Sequence, residues 1–309
     1  MCVCGYVAYR HYMAFRMPDH REIAQAIGDT KGLSLFLRRA LTPGDDFEPI
    51  PAPHPGDWLS VHQEPGQGFQ EFAGSNPRRP GGRKNRIYLA PLGEFAEDAG
   101  PRLDMLRDCA AAYFMMDVFV LPRAEVNTNR FTTRINPVTR NRQVLSLDVL
   151  VYLRQNMPKD AFCVLAVTME DLYPEEDWNF VFGQASLKTG VGVFSFARYD
   201  PAFYGYTRGR DCERLLSMRS CKVLVHEISH MFSLAHCTFF HCLMNGSNHL
   251  AESDARPIHL CPVCLRKLQY SVGFNVVEYY QKIFHFHRTY DFDREAQWVN
   301  RRLEHIMGT

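Results

Sequence analysis

The stretch His226-Glu227-Ile228-Ser229-His230-Met231-Phe232-Ser233-Leu234-Ala235-His236 limits the fold more than any other part of the chain. On a helix, His226 and His230 stand one turn apart and project from the same face. Two imidazoles so placed can bind one zinc ion, and Glu227 between them can reach a water held by that metal. Zinc needs a third protein ligand. His236 lies six residues beyond His230, so the chain must leave the helix and bend back to bring it in. Upstream, Leu215, Leu216, Met218, Val223, Leu224 and Val225 give the helix an apolar face on which to pack.

A second constraint follows directly: Cys237-x₄-Cys242, then Cys261-Pro262-Val263-Cys264. Four thiolates held tetrahedrally form a closed structural zinc site with no open position for substrate. The competing reading is four buried cysteines without metal, and His241, His249 and His259 are near enough in sequence to replace one ligand. Because Cys237 adjoins His236, a metal on the thiolates would also hold the loop that presents the third histidine. His285 and His287 sit at the end of a Phe-rich helix and read as half-buried or surface residues rather than ligands.

The chain has 309 residues, enough for a large core, and a formal net charge of +1. That balance exerts no general pull on nucleic acid or anionic membrane. The basic group Arg78, Arg79, Arg83, Lys84 and Arg86 has no interleaved aromatic residues and reads as a solvated loop, so no nucleic-acid partner is expected. The longest apolar run, Val144–Leu153, carries Asp148 and is too short for a bilayer span. Met1–Tyr6 shows no basic segment followed by a clean apolar one, so no leader is expected. An intracellular location, cytoplasmic or nuclear, then favours metal binding over disulfides for the cysteines. Nothing in the sequence sets an oligomeric state.

In chain order, Arg21–Leu41 reads as a helix interrupted by Gly28-Asp29-Thr30-Lys31-Gly32. Residues 43–82 are dense in proline and glycine and read as an extended arm, packed down through Trp58, Phe69 and Phe72. From residue 86 strands and helices alternate: strand Arg86–Leu92, helix Leu103–Phe114, short buried strand Asp117–Leu121, helix Gln143–Met157 and central strand Ala161–Met169. Further strands follow at Trp178–Gln184 and Gly190–Ala197, the second expected at an edge. A helix over Leu265–Phe284, with Gly273 as a weak point, and a terminal helix Phe292–Ile306 complete the chain. This order predicts an α/β fold with a mostly parallel sheet and right-handed crossovers, onto which the His226–His230 helix packs. The division expected is an N-terminal extension at 1–85 and a catalytic domain at 86–309.

Three neutral histidines would leave zinc its full charge and one open position, which suits amide hydrolysis with Glu227 as general base. His226-Glu227-x-x-His230-x₅-His236-Cys237-x₄-Cys242-x-Met244 with Cys261-x₂-Cys264 closely resembles the archaemetzincins, a branch of the metzincin zinc metallopeptidases. Asp171-Leu172-Tyr173-Pro174 and Asn179-Phe180-Val181-Phe182-Gly183 extend the resemblance to about residues 86–284. It implies a metzincin-like twisted mixed sheet, a catalytic zinc on His226, His230 and His236, and a second zinc on Cys237, Cys242, Cys261 and Cys264. It also implies a turn in which Met244 floors the metal site, although by itself Met244 reads as ordinary core. Family activity is aminopeptidase-like on short peptides.

One position departs from the family motif, which has glycine where this chain has Ser233. That glycine takes a positive φ to end the helix, and serine there costs on the order of 1 kcal/mol. Two alternatives to a peptidase are therefore kept: a zinc-stabilised binding protein whose site is weakened by Ser233, and a cysteine finger for nucleic acid. The second lacks an adjacent basic recognition helix.

Overall fold

The unbroken apolar run at 161–168 becomes a fully buried strand with a neighbour on each edge, in a computed structural model that describes residues 2–3, 15–95, 100–186 and 188–308. Of the stretch Met1–Tyr6, only residues 2–3 are described. Two compact units are present. One comprises residues 80–110 and 116–231 together with 2–3, and the other comprises 15–79, 111–115 and 232–308.

Helices run in chain order as α1 (His20–Ile27), α2 (Leu35–Ala40), α3 (Trp58–Val61), α4 (Phe69–Gly74), α5 (Leu103–Phe114), α6 (Ser146–Gln155), α7 (Cys212–Met231), α8 (Leu250–Ala255), α9 (Pro262–Val272), α10 (Val276–Thr289) and α11 (Asp293–Met307). The strands all belong to the first unit: β1 (Cys2–Val3), β2 (Arg86–Leu92), β3 (Asp117–Val120), β4 (Thr133–Ile135), β5 (Arg142–Leu145), β6 (Ala161–Thr168), β7 (Asp171–Tyr173), β8 (Gly183–Ser186) and β9 (Val191–Ser195).

The main sheet has the order β1-β8-β9-β6-β2-β3. Every neighbouring pair is parallel except β8 and β9. This is the α/β, mostly parallel arrangement that the sequence predicts. Three elements differ in detail. Asp117–Val120 is an edge strand with only Val118 buried, because nothing among the described residues pairs beyond it. Residues 142–145 form β5 rather than the start of a helix, pairing with β4 and β7, so α6 begins at Ser146. The Thr189-Gly190 turn closes a β8–β9 hairpin, so β9 is interior, lying between β8 and β6, and residues 178–182 precede the strand instead of forming it.

The two faces of β9 do different jobs. Val191 and Val193 join a core with Val149, Leu150 and Leu153 of α6. Alternation turns Gly192 to the opposite face, where a Cβ would stand 2.9 Å from Met231 Cε. The missing side chain lets the last residue of α7 lie on the sheet, and so fixes the helix end from which the site is built.

The motif segments at 171–174 and 179–183 have a structural explanation. Arg198 Nε and Nη2 donate to Asp171 Oδ1 and Oδ2, each at 2.8 Å, and both side chains are buried. Gln143 Nε2 donates to Asp171 Oδ2 at 2.9 Å and to the Asn179 carbonyl at 2.9 Å. Asp171→Ala would leave the guanidinium buried without its counter-charge. A loss of about 3–5 kcal/mol in urea unfolding is expected, and a loss below about 1 kcal/mol would show the pair to be dispensable.

In the second unit the helix expected at 265–284 is two helices. Gly273, at φ 82°, caps α9 in the left-handed conformation, and Asn275 starts α10 by accepting from the Val277 N–H. The interruption at 28–32 likewise separates α1 from α2. The Pro/Gly-rich arm carries a 3-10 turn at Gly44–Asp46 and the short α3 and α4, with Trp58 and Phe72 buried as anchors. No helix among the described residues is long and apolar enough to cross a membrane.

Candidate metal centre

His226 and His230 project from one face of α7, both buried, with their Nε2 atoms 3.0 Å apart. Ligands ~2.1 Å from one tetrahedral zinc would stand about 3.4 Å apart, so the pair is set at metal-binding range. The chain leaves α7 after Met231 and turns at Ser233, where φ is 69°. His236 follows in the loop beyond that turn, where it is buried. Glu227 is buried on the same helical turn.

The turn at Ser233 is formed, and it is held by the N-terminal arm. The Arg78 N–H donates to Ser233 Oγ at 3.1 Å. Gln67 Nε2 donates to the Ser233 carbonyl at 3.3 Å, while Gln67 Oε1 accepts from the Ala235 N–H at 3.1 Å. Lys267 Nζ also donates to Gln67 Oε1, at 3.2 Å. Gly66, at φ 75°, lies so close to the loop that a Cβ would meet Thr238 Oγ1 at 2.3 Å. Serine thus recovers in a hydrogen bond what it loses in backbone strain. Ser233→Ala keeps the strain and loses the acceptor, so urea unfolding should show a loss of about 1 kcal/mol. Ser233→Gly should stay within about 0.5 kcal/mol of the parent, because relieved strain offsets the lost bond. A Ser233→Ala protein as stable as the parent would show the hydroxyl to be idle.

His236 is gripped by the same arm. Its Nδ1 lies 2.8 Å from Glu64 Oε1, and Trp58 packs edge-on against its ring with centroids 5.0 Å apart. With Nδ1 committed to the carboxylate, Nε2 is the nitrogen that a metal would take. Sequence reading did not find Glu64 or Gln67. They lie 172 and 166 residues from their partners His236 and Ser233, in an arm without periodicity, so no local pattern marks them.

Cys237, Cys242, Cys261 and Cys264 are all buried, with their sulfurs mutually within 4.8 Å. Zinc with ~2.3 Å bonds to sulfur holds its tetrahedral ligands about 3.8 Å apart, and Cys237 and Cys261 Sγ are separated by 3.6 Å. The N–H groups of Cys261 and Met244 point at Cys242 Sγ at 3.3 and 3.4 Å, as suits a sulfur carrying negative charge. Burial pushes the Cys261 thiol up, and its neighbour Cys237 does the same to Cys264. Cys237 is pulled down: burial opposes its charge, but hydrogen bonds from Cys242, Cys261 and Cys264 outweigh it. A dication bound there would remove this competition by stabilising all four thiolates together.

Asn245 wires the loop. Its Oδ1 accepts from the Cys242 N–H at 2.7 Å, and its Nδ2 donates to the carbonyls of Cys237 at 2.7 Å and Phe240 at 2.9 Å. Met244 is fully buried, and its carbonyl accepts from the Cys237 N–H at 2.8 Å.

The remaining histidines play other parts. His259 stacks on Trp298, with centroids 3.6 Å apart, and buried His287 faces the Tyr113 hydroxyl at 3.2 Å. His249 gathers with Asp57 and Glu252, but each of the three accepts from backbone N–H groups. Asp57 accepts from the His54 N–H, Glu252 from those of Trp58 and Asn248, and His249 Nδ1 from that of Glu252. Among the described residues neither His241, His249 nor His259 joins the cysteine group.

Comparison with known proteins gives a consistent picture. The sequence profile of Peptidase family M54 matches residues 115–270. The chain is 40% identical to archaemetzincin-2 of Homo sapiens over 281 residues, covering 82% of this chain and 78% of that protein. It is 34% identical to archaemetzincin-1 of Homo sapiens over 255 residues, covering 74% and 51% respectively. Among solved structures, archaemetzincin from Archaeoglobus fulgidus, complexed with malonate, is 28% identical, with a TM-score of 0.45 over 59% of this chain and 99% of that one. Archaemetzincin from Methanopyrus kandleri is also 28% identical, with a TM-score of 0.47 over 62% and 97%.

Proposed function

The chain belongs to peptidase family M54, the archaemetzincins, and is accordingly a zinc metallopeptidase; from that premise we propose that it removes N-terminal residues from short peptides with Glu227 as general base. His226, His230 and His236 would hold the catalytic ion, and Cys237, Cys242, Cys261 and Cys264 a second, structural one. The observation that carries the reading is the His226–His230 pair on α7, its Nε2 atoms 3.0 Å apart, with Glu227 buried on the same turn.

Three neutral imidazoles would leave a bound zinc its charge, and the chemistry it would supply is a water lowered to a pKa of about 7 and a polarised carbonyl. The rest falls to the chain. Glu227 takes the proton of the attacking water at its carboxylate and hands it to the leaving amine as the amide bond breaks. The helical backbone of α7 keeps Glu227 in register with both of its imidazoles, so proton acceptor and ligands move as one body. The loop from Ser233 to Cys237 fixes His236, and Met244 is assigned to the floor of the centre.

A panel of reporter peptides tests the exo assignment. Substrates with a free N-terminus should turn over, and their acetylated counterparts should not. Chelation should abolish the activity and added Zn²⁺ restore it. Equal rates on acetylated peptides would overturn the aminopeptidase reading, and turnover indifferent to chelation would overturn the metallopeptidase mechanism. A binding protein with a vestigial site draws its motive from a distorted turn at Ser233, and that turn is hydrogen-bonded on both its hydroxyl and its carbonyl.

A further inference from the structure

Glu64 lies in the arm, upstream of the family match at 115–270, yet its carboxylate touches the third histidine. The pair is well shielded: the His236 side chain is 6% exposed and that of Glu64 28%. Glu64 Oε1 accepts from His236 Nδ1 at 2.8 Å, while Glu64 Oε2 is buried with no hydrogen-bond partner among the described residues. A carboxylate with one oxygen so placed is costly unless positive charge stands close. An imidazole that binds a dication through its other nitrogen provides that charge through the ring.

We propose that Glu64 is a positioning residue for the catalytic metal, supplied in cis by the N-terminal arm. Its carboxylate accepts the Nδ1 proton of His236, which selects the tautomer with a lone pair on Nε2, sets the ring orientation and raises the basicity of that nitrogen. Carboxylates behind metal-ligating histidines act in this way generally, and their loss typically costs 10–100-fold in metal affinity or activity. Trp58, edge-on at 5.0 Å, fills one side of the same ring, and Gln67 holds the backbone just before it, at the Ser233 carbonyl and the Ala235 N–H. The arm therefore works as a clamp on His236, not as a surface ornament.

The inference rests on the proposed histidine site, and the test separates the two. Wild type, Glu64→Ala and the isosteric Glu64→Gln would be stripped of metal at the histidines and titrated with Zn²⁺ against a chromophoric chelator. Co²⁺ loading would give the visible ligand-field spectrum of the site. Glu64→Ala should bind the second equivalent of zinc 10–100-fold more weakly and shift the Co²⁺ bands. Glu64→Gln, which keeps a carbonyl acceptor but loses the charge, should fall between. The thiolate zinc and the melting temperature should stay close to wild type in both, and the activity loss in metal-limited assays should be recovered by excess Zn²⁺. Second-site affinity and Co²⁺ spectrum unchanged in Glu64→Ala would overturn the role of Glu64 alone. A wild-type protein that takes metal only at the thiolates would overturn the histidine site first, and Glu64 with it.

Discussion

Glu227→Gln should lower kcat for peptide hydrolysis by about 10²–10⁴-fold, the usual worth of a positioned general base. The substitution keeps the size and shape of a side chain that is 2% exposed, so the packing of α7 should survive it. Gln cannot take the proton of the attacking water, while the three histidines remain untouched. Zinc content and melting temperature should therefore match the parent, and the loss should fall on kcat with little change in KM. Initial rates on a free-amine reporter peptide, taken with metal analysis of the same preparation, make the check. Wild-type turnover by the metal-replete variant would remove Glu227 from the mechanism.

The largest effect on stability is expected at the thiolates. Cys242→Ala removes the sulfur on which the Cys261 and Met244 N–H groups converge. Structural zinc contributes on the order of 10–16 kcal/mol to the folding of small zinc domains, so losing one of four ligands should cost several kcal/mol. At about 2–4 °C per kcal/mol for a domain of this size, a drop of roughly 10 °C or more in Tm follows. One zinc per chain should disappear. Activity should fall as well, although no residue of the histidine centre has changed, because Cys237 and His236 are consecutive in the chain. A metal on the thiolates would anchor one end of the short loop on which the third imidazole rides. A Cys242→Ala protein with full zinc content and an unchanged Tm would refute the structural site.

Much of the architecture could be read from the sequence, wherever one element carries its own pattern. Arg86–Leu92 and Leu103–Phe114 occur with the expected bounds because each is long and periodic or continuously apolar. The failures came where partners decide. Phe119 and Val120 look like core, yet they lie on an edge strand and are exposed. Val144 and Leu145 fit a helical face as well as a strand, and pairing with β4 and β7 settles them as strand. The ligand candidates were legible because metal binding imposes fixed spacings on one short stretch. Glu64 was not, since its meaning depends on a neighbour 172 residues away.

Strand β2 has consequences for anyone preparing a shortened form of this enzyme. It pairs with β6 along its whole length and with β3 on its other side, and it lies ahead of the family match that starts at residue 115. A recombinant fragment trimmed to that match would bare an apolar sheet edge, an invitation to aggregation, and would delete Glu64 as well. Insolubility or poor metal uptake by such a fragment would record where the cut was made, so expression boundaries are better drawn upstream of Trp58.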